Sequence, residues 1–258
     1  MKFSVKNLAE PLIFFVILLL LWEALVEVFH IPAFILPPPR DLYTAFVGKF
    51  YILHKHALVT FTEAVGGFAL SFVLGVAFAV GVVYSRRIQN TIYPLIVILY
   101  AMPKSAFAPL MVIWIGYGIF SKMAIAFLVA FFPIVVNTVV GLKEVEPELL
   151  DLARINRASE FDVFAKIRLP NSLPYMFAGI KVALVLSVTG AIVAEFVAAN
   201  EGLGYLILQA NYSLDTALAL VILLILALLS LALFIAVEIL QKKLAPWSAE
   251  VRQLEGSF

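Results

Sequence analysis

Cysteine is absent from all 258 residues of this chain, and charged residues are scarce. The missing thiols exclude disulfides and thiolate metal sites, and they leave the redox compartment undecided. Only 14% of the residues are charged, against about a quarter in a typical soluble domain. The net charge of +1 provides no field that would recruit nucleic acid.

Motifs of catalysis are missing as well. No G-x-x-x-x-G-K-[S/T] occurs, so the chain cannot hold ATP phosphates through a P-loop, and no H-E-x-x-H or comparable metal cluster occurs either. His30, His54 and His56 stand near one another without paired acids, which favours ordinary interfacial histidines over metal ligands or a proton relay. We therefore predict no catalytic, cofactor-binding or metal-binding residue, and a protein that is not an enzyme.

Apolar residues are abundant instead: they make up 64% of the chain, and the mean hydropathy is +1.06. A helix needs about 20 mostly apolar residues to cross a bilayer. Such segments predict an all-α polytopic membrane protein that forms a single domain over residues 1–258. We expect six transmembrane helices, at about 11–30, 57–84, 91–117, 122–141, 175–197 and 215–240.

The first apolar run resembles a signal peptide, because a positive start precedes it. The run ends in Trp22, Glu23 and Glu27, and no small-residue cleavage site follows, so we expect an uncleaved first span. In the second span, Gly67, Ser71 and Gly75 stand four residues apart. Such a stripe of small residues lets another helix approach closely.

The third apolar region is interrupted by Pro94, Pro103 and Pro109, with Lys104 between the last two. Prolines of this kind either kink a helix or break it. Periodicity leaves both alternatives open: one kinked span, or a span followed by a broken half-helix.

Basic residues indicate the orientation in the membrane. With the N-terminus inside, twelve basic residues fall on inside segments and four on outside connections, which is the bias typical of cytoplasmic loops. We therefore predict that both termini and the stretch 142–174 are cytoplasmic. The inside residues are Lys2, Lys6, Arg86, Arg87, Lys143, Arg154, Arg157, Lys166, Arg168, Lys242, Lys243 and Arg252, and the outside residues are Arg40, Lys49, Lys55 and Lys122.

The stretch 142–174 is the only long polar interval between strongly apolar segments. Its apolar residues recur at helical spacing, which predicts two short amphipathic helices around a turn near 156–159. Pro170 and Pro174 are expected to end the second helix before the fifth span begins. A solvated linker is the alternative, but a linker needs neither apolar faces nor paired prolines. The recurring residues are Leu149, Leu152, Ile155, Phe161, Phe164 and Ile167.

The end of this stretch reads Ile167-Arg-Leu169-Pro170-Asn-Ser-Leu173-Pro174. This I-x-L-P-x-x-L-P pattern resembles the EAA loop of binding-protein-dependent ABC importer permeases. Three further segments, at 35–43, 108–122 and 194–207, resemble the branch that includes nitrate, taurine, alkanesulfonate and bicarbonate permeases. The resemblance covers roughly residues 11–248.

The resemblance implies a type I ABC importer permease fold in the bacterial or archaeal cytoplasmic (inner) membrane. It also implies a homodimer that carries two ABC ATPase subunits and receives solute from an external or periplasmic binding protein. ATP and Mg would be bound by the ATPase partner, and this chain would hold no cofactor. The residues expected to dock the ATPase are Leu149, Asp151, Leu152, Ala153, Ile155, Arg157, Ala158, Ser159 and Phe161.

The core of the loop departs from the family pattern, which reads Glu-Ala-Ala, three residues, then Gly. Asp151, Leu152 and Ala153 stand at the first three positions, and Arg157 replaces the glycine. A left-handed backbone costs a non-glycine residue about 1 kcal/mol or more. Because asparagine tolerates that conformation better, we hypothesise that the left-handed position moves to Asn156.

Polar residues inside the apolar spans are costly unless they face a pathway or a partner. For Lys104 we expect either a role in passing an anion or a pairing with Glu195, and we favour the pairing. Glu63 and Lys181 are weaker candidates, since both lie near the ends of their spans and can reach water or headgroups. The predicted pathway residues are Lys104, Ser105, Asn137, Thr138, Ser187, Thr189 and Glu195.

The external connection from Ala198 to Asp215 contains Gly202 and Gly204. These glycines predict either a bending gate or a plain turn. Together with residues 31–56, the connection is a candidate landing surface for a binding protein.

Two function classes compete. The first is the translocation subunit of an ATP-driven importer, and the second is an ion-coupled secondary transporter that works without an ATPase. Secondary transporters often show paired broken helices in two halves, whereas only one half of this chain is punctuated by proline. The solute stays open between an anion, such as a sulfonate, nitrate or bicarbonate, and a pyrimidine or aromatic precursor.

Overall fold

The computed structural model describes residues 5–248, except for the side chains of residues 5–12 and of Ala198. The described part is helical throughout and contains no strand, which confirms the all-α prediction. In chain order the helices are α1 (Val5–Val28), α2 (Pro39–Gly48), α3 (Phe50–Tyr84), α4 (Arg86–Ala101), α5 (Ala108–Ile115), α6 (Ile119–Lys143), α7 (Pro147–Ile155), α8 (Glu160–Val163), α9 (Leu169–Ala198), α10 (Leu203–Tyr212) and α11 (Thr216–Leu244).

Membrane-spanning helices dominate this architecture. Within the described residues, four helices are long and apolar enough to cross a bilayer, and a fifth crossing is counted if α4 and α5 together make one span. The first predicted crossing, 11–30, falls mostly on α1, whose first side chains lie outside the described part. The count of six spans therefore stays a prediction.

The centre of the bundle is formed by α3, α6 and α9. Gly67 on α3 lies so close to α6 that a Cβ atom added there would be 2.5 Å from the Cβ of Ala126. One turn further, the Ser71 hydroxyl donates to the carbonyl of Phe127 at 2.9 Å. The predicted small-residue stripe is confirmed as the surface where α6 packs against α3.

The third apolar region is broken rather than merely kinked. α4 ends at Ala101, Met102 is extended, and a short 3₁₀ turn at Lys104–Phe107 leads into α5 at an angle of 95° to α4. Met102 takes this conformation because the ring of Pro103 disfavours a helical backbone at the preceding residue. Pro109 stands in the first turn of α5, where its missing N–H costs nothing.

The second predicted span, 57–84, lies within a longer helix, because α3 begins at Phe50, directly after α2. The prolines at 170 and 174 do not end the second loop helix: residues 160–197 form one continuous helix. A π-helical turn, Phe164–Arg168, joins α8 to α9. Pro170 directly follows this turn, in the first turn of α9, and Pro174 lies inside α9.

The connection between α9 and α11 was predicted as an external gate or a plain turn, and it is instead a buried helix. In α10, Leu203, Ile207 and Ala210 are buried and pack against the core formed with α11. α10 lies beside the end of the bundle opposite to the stretch 142–174. We call the two ends of the bundle the loop end, which carries 142–174, and the far end, which carries α10.

Candidate functional site

The stretch 142–174, named here the coupling loop, presents an apolar face that no described residue of the chain covers. The predicted turn is present between α7 and α8, but only α7 is a short helix, because α8 continues into α9. Leu152 is 56% exposed, Ile155 79% and Phe161 75%, and Leu149 beside them is also exposed. Large apolar side chains grouped on a small surface are typical of a protein–protein interface.

Arg157 makes the turn between the two helices. Its φ angle is +53°, whereas Asn156 has φ −79° and ψ 5°. The hypothesis that Asn156 takes over the left-handed position is therefore wrong, and Arg157 adopts the conformation of the family glycine itself. The turn is closed by the N–H of Ala158, which donates to the carbonyl of Ala153 at 2.9 Å. Such a backbone costs an arginine about 1–2 kcal/mol more than a glycine.

The remaining predicted docking residues have different surroundings. Ala153 is buried, so its side chain packs inward and offers no contact surface. Asp151 is exposed and forms an ion pair with Arg154 at 2.8 Å. Ser159 caps α8, because its hydroxyl accepts the N–H of Asp162. Ala158 is exposed.

The coupling loop is braced against the ends of the two central helices. The Arg168 guanidinium donates to the carbonyl of Leu142 at 2.7 Å, and the Asn171 amide donates to the carbonyl of Glu144. Both bonds join the start of α9 to the end of α6. We therefore expect a displacement of the coupling loop to move both core helices.

Three of the seven predicted pathway residues bond within their own helix. The Asn137 amide donates to the carbonyl of Pro133, the Ser187 hydroxyl to that of Leu184, and the Thr189 hydroxyl to that of Val185. Thr138 is buried and its hydroxyl has no partner. Ser105 is exposed. Their role in a pathway stays a prediction.

Lys104 does not pair with Glu195, contrary to the favoured prediction. Its ammonium group donates to the carbonyl of Tyr100 and stands 4.3 Å from the centre of the Tyr100 ring. It also faces the ring of Phe132 at 5.4 Å. The two aromatic rings attract the cation in place of a carboxylate.

Glu195 belongs instead to a buried polar cluster at the far end. The Lys122 ammonium lies 2.6 Å from Glu63 Oε1, and Glu63 and Glu195 are both buried in the lining of one cavity. Glu195 Oε1 accepts the hydroxyl of Thr60 at 2.6 Å. We define the far-end cluster as Thr60, Glu63, Lys122 and Glu195.

Sequence reasoning misplaced two members of this cluster. Glu63 was a candidate for reaching water, yet it is 1% exposed; Lys122 was counted as an outside residue, yet it is 8% exposed. The sequence did contain a signal for this pairing: Glu63 and Lys122 carry opposite charges near the same end of the second and fourth predicted spans. Their pairing joins α3 to α6 across 59 residues of sequence.

Three backbone N–H groups at the start of α10 bind the far-end cluster and the neighbouring His56. That of Gly202 donates to His56 Nδ1, that of Leu203 to Thr60 Oγ1, and that of Gly204 to Glu195 Oε2. Gly202 has φ +118°, and a Cβ atom there would lie 2.1 Å from Glu195 Oε1. The glycine is required for this close approach. His56, predicted to be interfacial, is buried by these contacts.

A cavity of about 910 Å³ lies beside the far-end cluster, and Glu63, Lys122 and Glu195 line it. At its rim the Lys55 ammonium lies 2.7 Å from the carboxylate of Glu201. This hydrogen bond holds the pKa of the Glu201 carboxyl below its ordinary value. The ion pair of Lys55 and Glu201 therefore lies at the rim of the cavity, whereas the buried carboxyl groups of Glu63 and Glu195 and the ammonium of Lys122 lie in its lining.

Asp215 forms a second far-end ion pair, with Lys49 at 2.7 Å. Partial burial acts to raise the pKa of Asp215, but the hydrogen bonds from Lys49 and from the N–H of Leu218 outweigh it and lower the pKa. The same carboxylate caps α11. This contact fixes the start of α3 against the start of α11.

The family model described as "Binding-protein-dependent transport system inner membrane component" matches residues 71–248. The riboflavin transport system permease protein RibX of Chloroflexus aurantiacus is 35% identical over 239 residues, which cover 90% of this chain and 88% of that protein. The formylaminopyrimidine transport permease protein ThiX of Halalkalibacterium halodurans is 34% identical over 250 residues, covering 96% and 98%.

A more distant relative is the taurine transport system permease protein TauC of Escherichia coli, 27% identical over 243 residues, with 92% of this chain and 88% of that protein covered. Among solved structures, an inward-facing form of the MetNI methionine ABC transporter contains a chain that matches with a TM-score of 0.68 at 18% identity. The match covers 76% of this chain and 98% of that chain. This likeness confirms the type I permease fold.

Proposed function

The chain is a member of the family of binding-protein-dependent transport system inner membrane components, and from this premise we propose that it is the translocation subunit of an ATP-driven importer. A small solute, delivered by an external binding protein, crosses through the bundle. ATP and Mg are bound by a separate ATPase, which docks on the coupling loop. By this proposal two permease chains and two ATPase chains make up the importer.

The observation that carries the proposal is the uncovered apolar face of the coupling loop. Leu152, Ile155 and Phe161 are exposed on the coupling loop, and so is Leu149. Helices that dock in a groove present apolar anchors along one face, and on α7 Leu149, Leu152 and Ile155 recur at every third residue. Arg168 and Asn171 join the start of α9 to the end of α6, the two helices that flank the coupling loop, so that closure of an ATPase pair pulls on both core helices.

Orientation is part of the proposal. We place the coupling loop and both termini in the cytoplasm, because most basic residues fall on that side. The far end then faces outward, and the segments 31–56 and 198–215 offer a landing surface for the binding protein. Their ion pairs, Lys49 with Asp215 and Lys55 with Glu201, stiffen that surface.

The solute belongs to one of two classes. One relative is named for taurine, a sulfonate, whereas the two relatives of higher identity are named for riboflavin and formylaminopyrimidine. The higher identity supports a nitrogen heterocycle over a sulfonate as the solute. The ligand of the cognate binding protein, found by thermal-shift screening with members of both classes, decides between them.

Reconstituted transport tests the proposed function. The chain is placed in lipid vesicles with its cognate ATPase, binding protein and the solute identified above. We expect uptake only with ATP and with both partners present. Vesicles that hold the chain alone, under a sodium or proton gradient, are the control. Uptake in that control would establish a secondary transporter and contradict the proposal.

A further inference from the structure

One oxygen of the far-end cluster lacks a hydrogen-bond donor. Glu63 Oε1 accepts from the Lys122 ammonium at 2.6 Å, whereas Glu63 Oε2 is buried and has no partner. The Glu63 side chain is 1% exposed and lines the far-end cavity. An ionised carboxylate oxygen left in this position is unfavourable, because burial removes its water and nothing replaces it.

Glu195 is in the opposite situation, since both of its oxygens accept hydrogen bonds. Oε1 accepts from Thr60 at 2.6 Å, and Oε2 accepts from the N–H of Gly204 at 2.5 Å. These two donors favour the ionised form of Glu195. Thr60, which bonds Glu195, lies one turn before Glu63 on α3, and both carboxyl groups are buried. Two neighbouring negative charges would therefore share a buried site if both groups were ionised.

We propose that the far-end cluster is a proton-binding site, in which one proton resides on Glu63 Oε2 and is donated to Glu195. With this proton, every carboxyl oxygen of the cluster has a partner. The charges of Lys122 and Glu195 cancel, and Glu63 is neutral. Without it, the cluster holds one uncompensated negative charge and one unpartnered oxygen.

The other titratable groups around the cluster do not supply this proton. From α3, Lys55 is paired with Glu201 at the cavity rim, and His56 Nδ1 accepts the N–H of Gly202. In the described part of the chain, α6 and α9 contribute only Lys122 and Glu195 to the cavity lining as charged groups. The remaining titratable groups in the lining are phenols, those of Tyr117, Tyr205 and Tyr212.

The residues around the bound proton come from four helices at the far end. Glu63 lies on α3, Lys122 on α6, Glu195 on α9, and the backbone of Gly204 begins α10. Loss of the proton through the cavity leaves two buried carboxylates that repel each other, which separates α3 from α9. The site thus couples closure of the far end to proton occupancy, a property beyond the proposed transport function.

Infrared spectroscopy of the purified chain in lipid vesicles tests for the proton directly. We expect a carbonyl band of a protonated carboxylic acid at neutral pH, shifted by D₂O, that is lost in Glu63→Gln. Glu201→Gln, which changes the exposed carboxyl at the rim, keeps the band. Absence of the band in the parent chain, or its persistence in Glu63→Gln, would overturn the proposal.

Thermal unfolding tests where the proton resides. Glu63→Gln mimics the protonated acid, because its amide oxygen accepts from Lys122 and its NH₂ donates to Glu195; we expect its Tm within about 2 °C of the parent. Glu195→Gln points an NH₂ group at the hydroxyl of Thr60 or the N–H of Gly204, and we expect a Tm lower by about 5 °C or more. The reverse order would refute the assignment to Glu63. Neither measurement involves transport, so failure here is separable from failure of the proposed function.

Discussion

Leu152→Asp is expected to abolish ATP-driven uptake while the chain remains folded and inserted. Leu152 is 56% exposed, so the substitution removes little packing within the chain. In the complex it places an unpaired carboxylate in an apolar contact. An interface hot spot contributes about 2 kcal/mol or more, which is roughly a 30-fold loss of ATPase affinity. Burial of the charge adds to that loss.

The assay is ATP-dependent uptake in the reconstituted vesicles, with binding of the ATPase to the chain measured in parallel. Arg154→Gln is the matched control: it lies on the opposite side of α7 and removes only an exposed ion pair with Asp151, which contributes about 1 kcal/mol or less. We expect near-normal uptake from the control. Equal uptake by Leu152→Asp and the parent chain would show that this face does not dock the ATPase.

Lys122→Met is expected to lower the free energy of unfolding by about 3–5 kcal/mol, because it leaves buried negative charge without its counter-ion. The Lys122 side chain is 9% exposed and that of Glu63 1%, so water cannot replace the lost ammonium. Thermal or denaturant unfolding of the purified chain in detergent measures the change. Lys122→Arg, which keeps the charge, should recover part of the loss.

The control for this effect is Lys55→Met at the cavity rim. Lys55 and Glu201 are also 2.7 Å apart, but their side chains are 57% and 48% exposed. Solvent screens such a pair, so we expect a much smaller loss of stability from Lys55→Met than from Lys122→Met. If both methionine variants lost the same stability, burial would not strengthen the ion pair of Lys122 and Glu63, and the prediction would be wrong.

The local spacing of residues was sufficient to predict much of the coupling loop and of the helix bundle. The spacing of Leu149, Leu152 and Ile155 predicts the exposed face of α7, and the small residues at Gly67 and Ser71 predict where α6 packs. Both features depend on residues within a few turns of one another. For the same reason the prolines around Lys104 predict an interruption, although not its 95° bend.

Long-range contacts explain what the sequence could not predict. Arg157 accepts a left-handed backbone because α7 and α8 on either side fix the turn, whatever residue stands there. Glu63 and Lys122 are paired only when α3 packs on α6. Pro170 and Pro174 look like helix breakers, yet a π-helical turn before them lets α9 continue. Each outcome is set by tertiary packing rather than by local preference.

Site-specific photocrosslinking from the coupling loop tests the central claim most directly. A photoreactive residue is placed at Ile155, which is 79% exposed, in the importer assembled in vesicles; Tyr212 at the far end, 87% exposed, is the control. We predict that Ile155 crosslinks to the ATPase and that Tyr212 does not. Crosslinks from Ile155 to lipid alone, or to the ATPase from Tyr212 alone, would contradict the account.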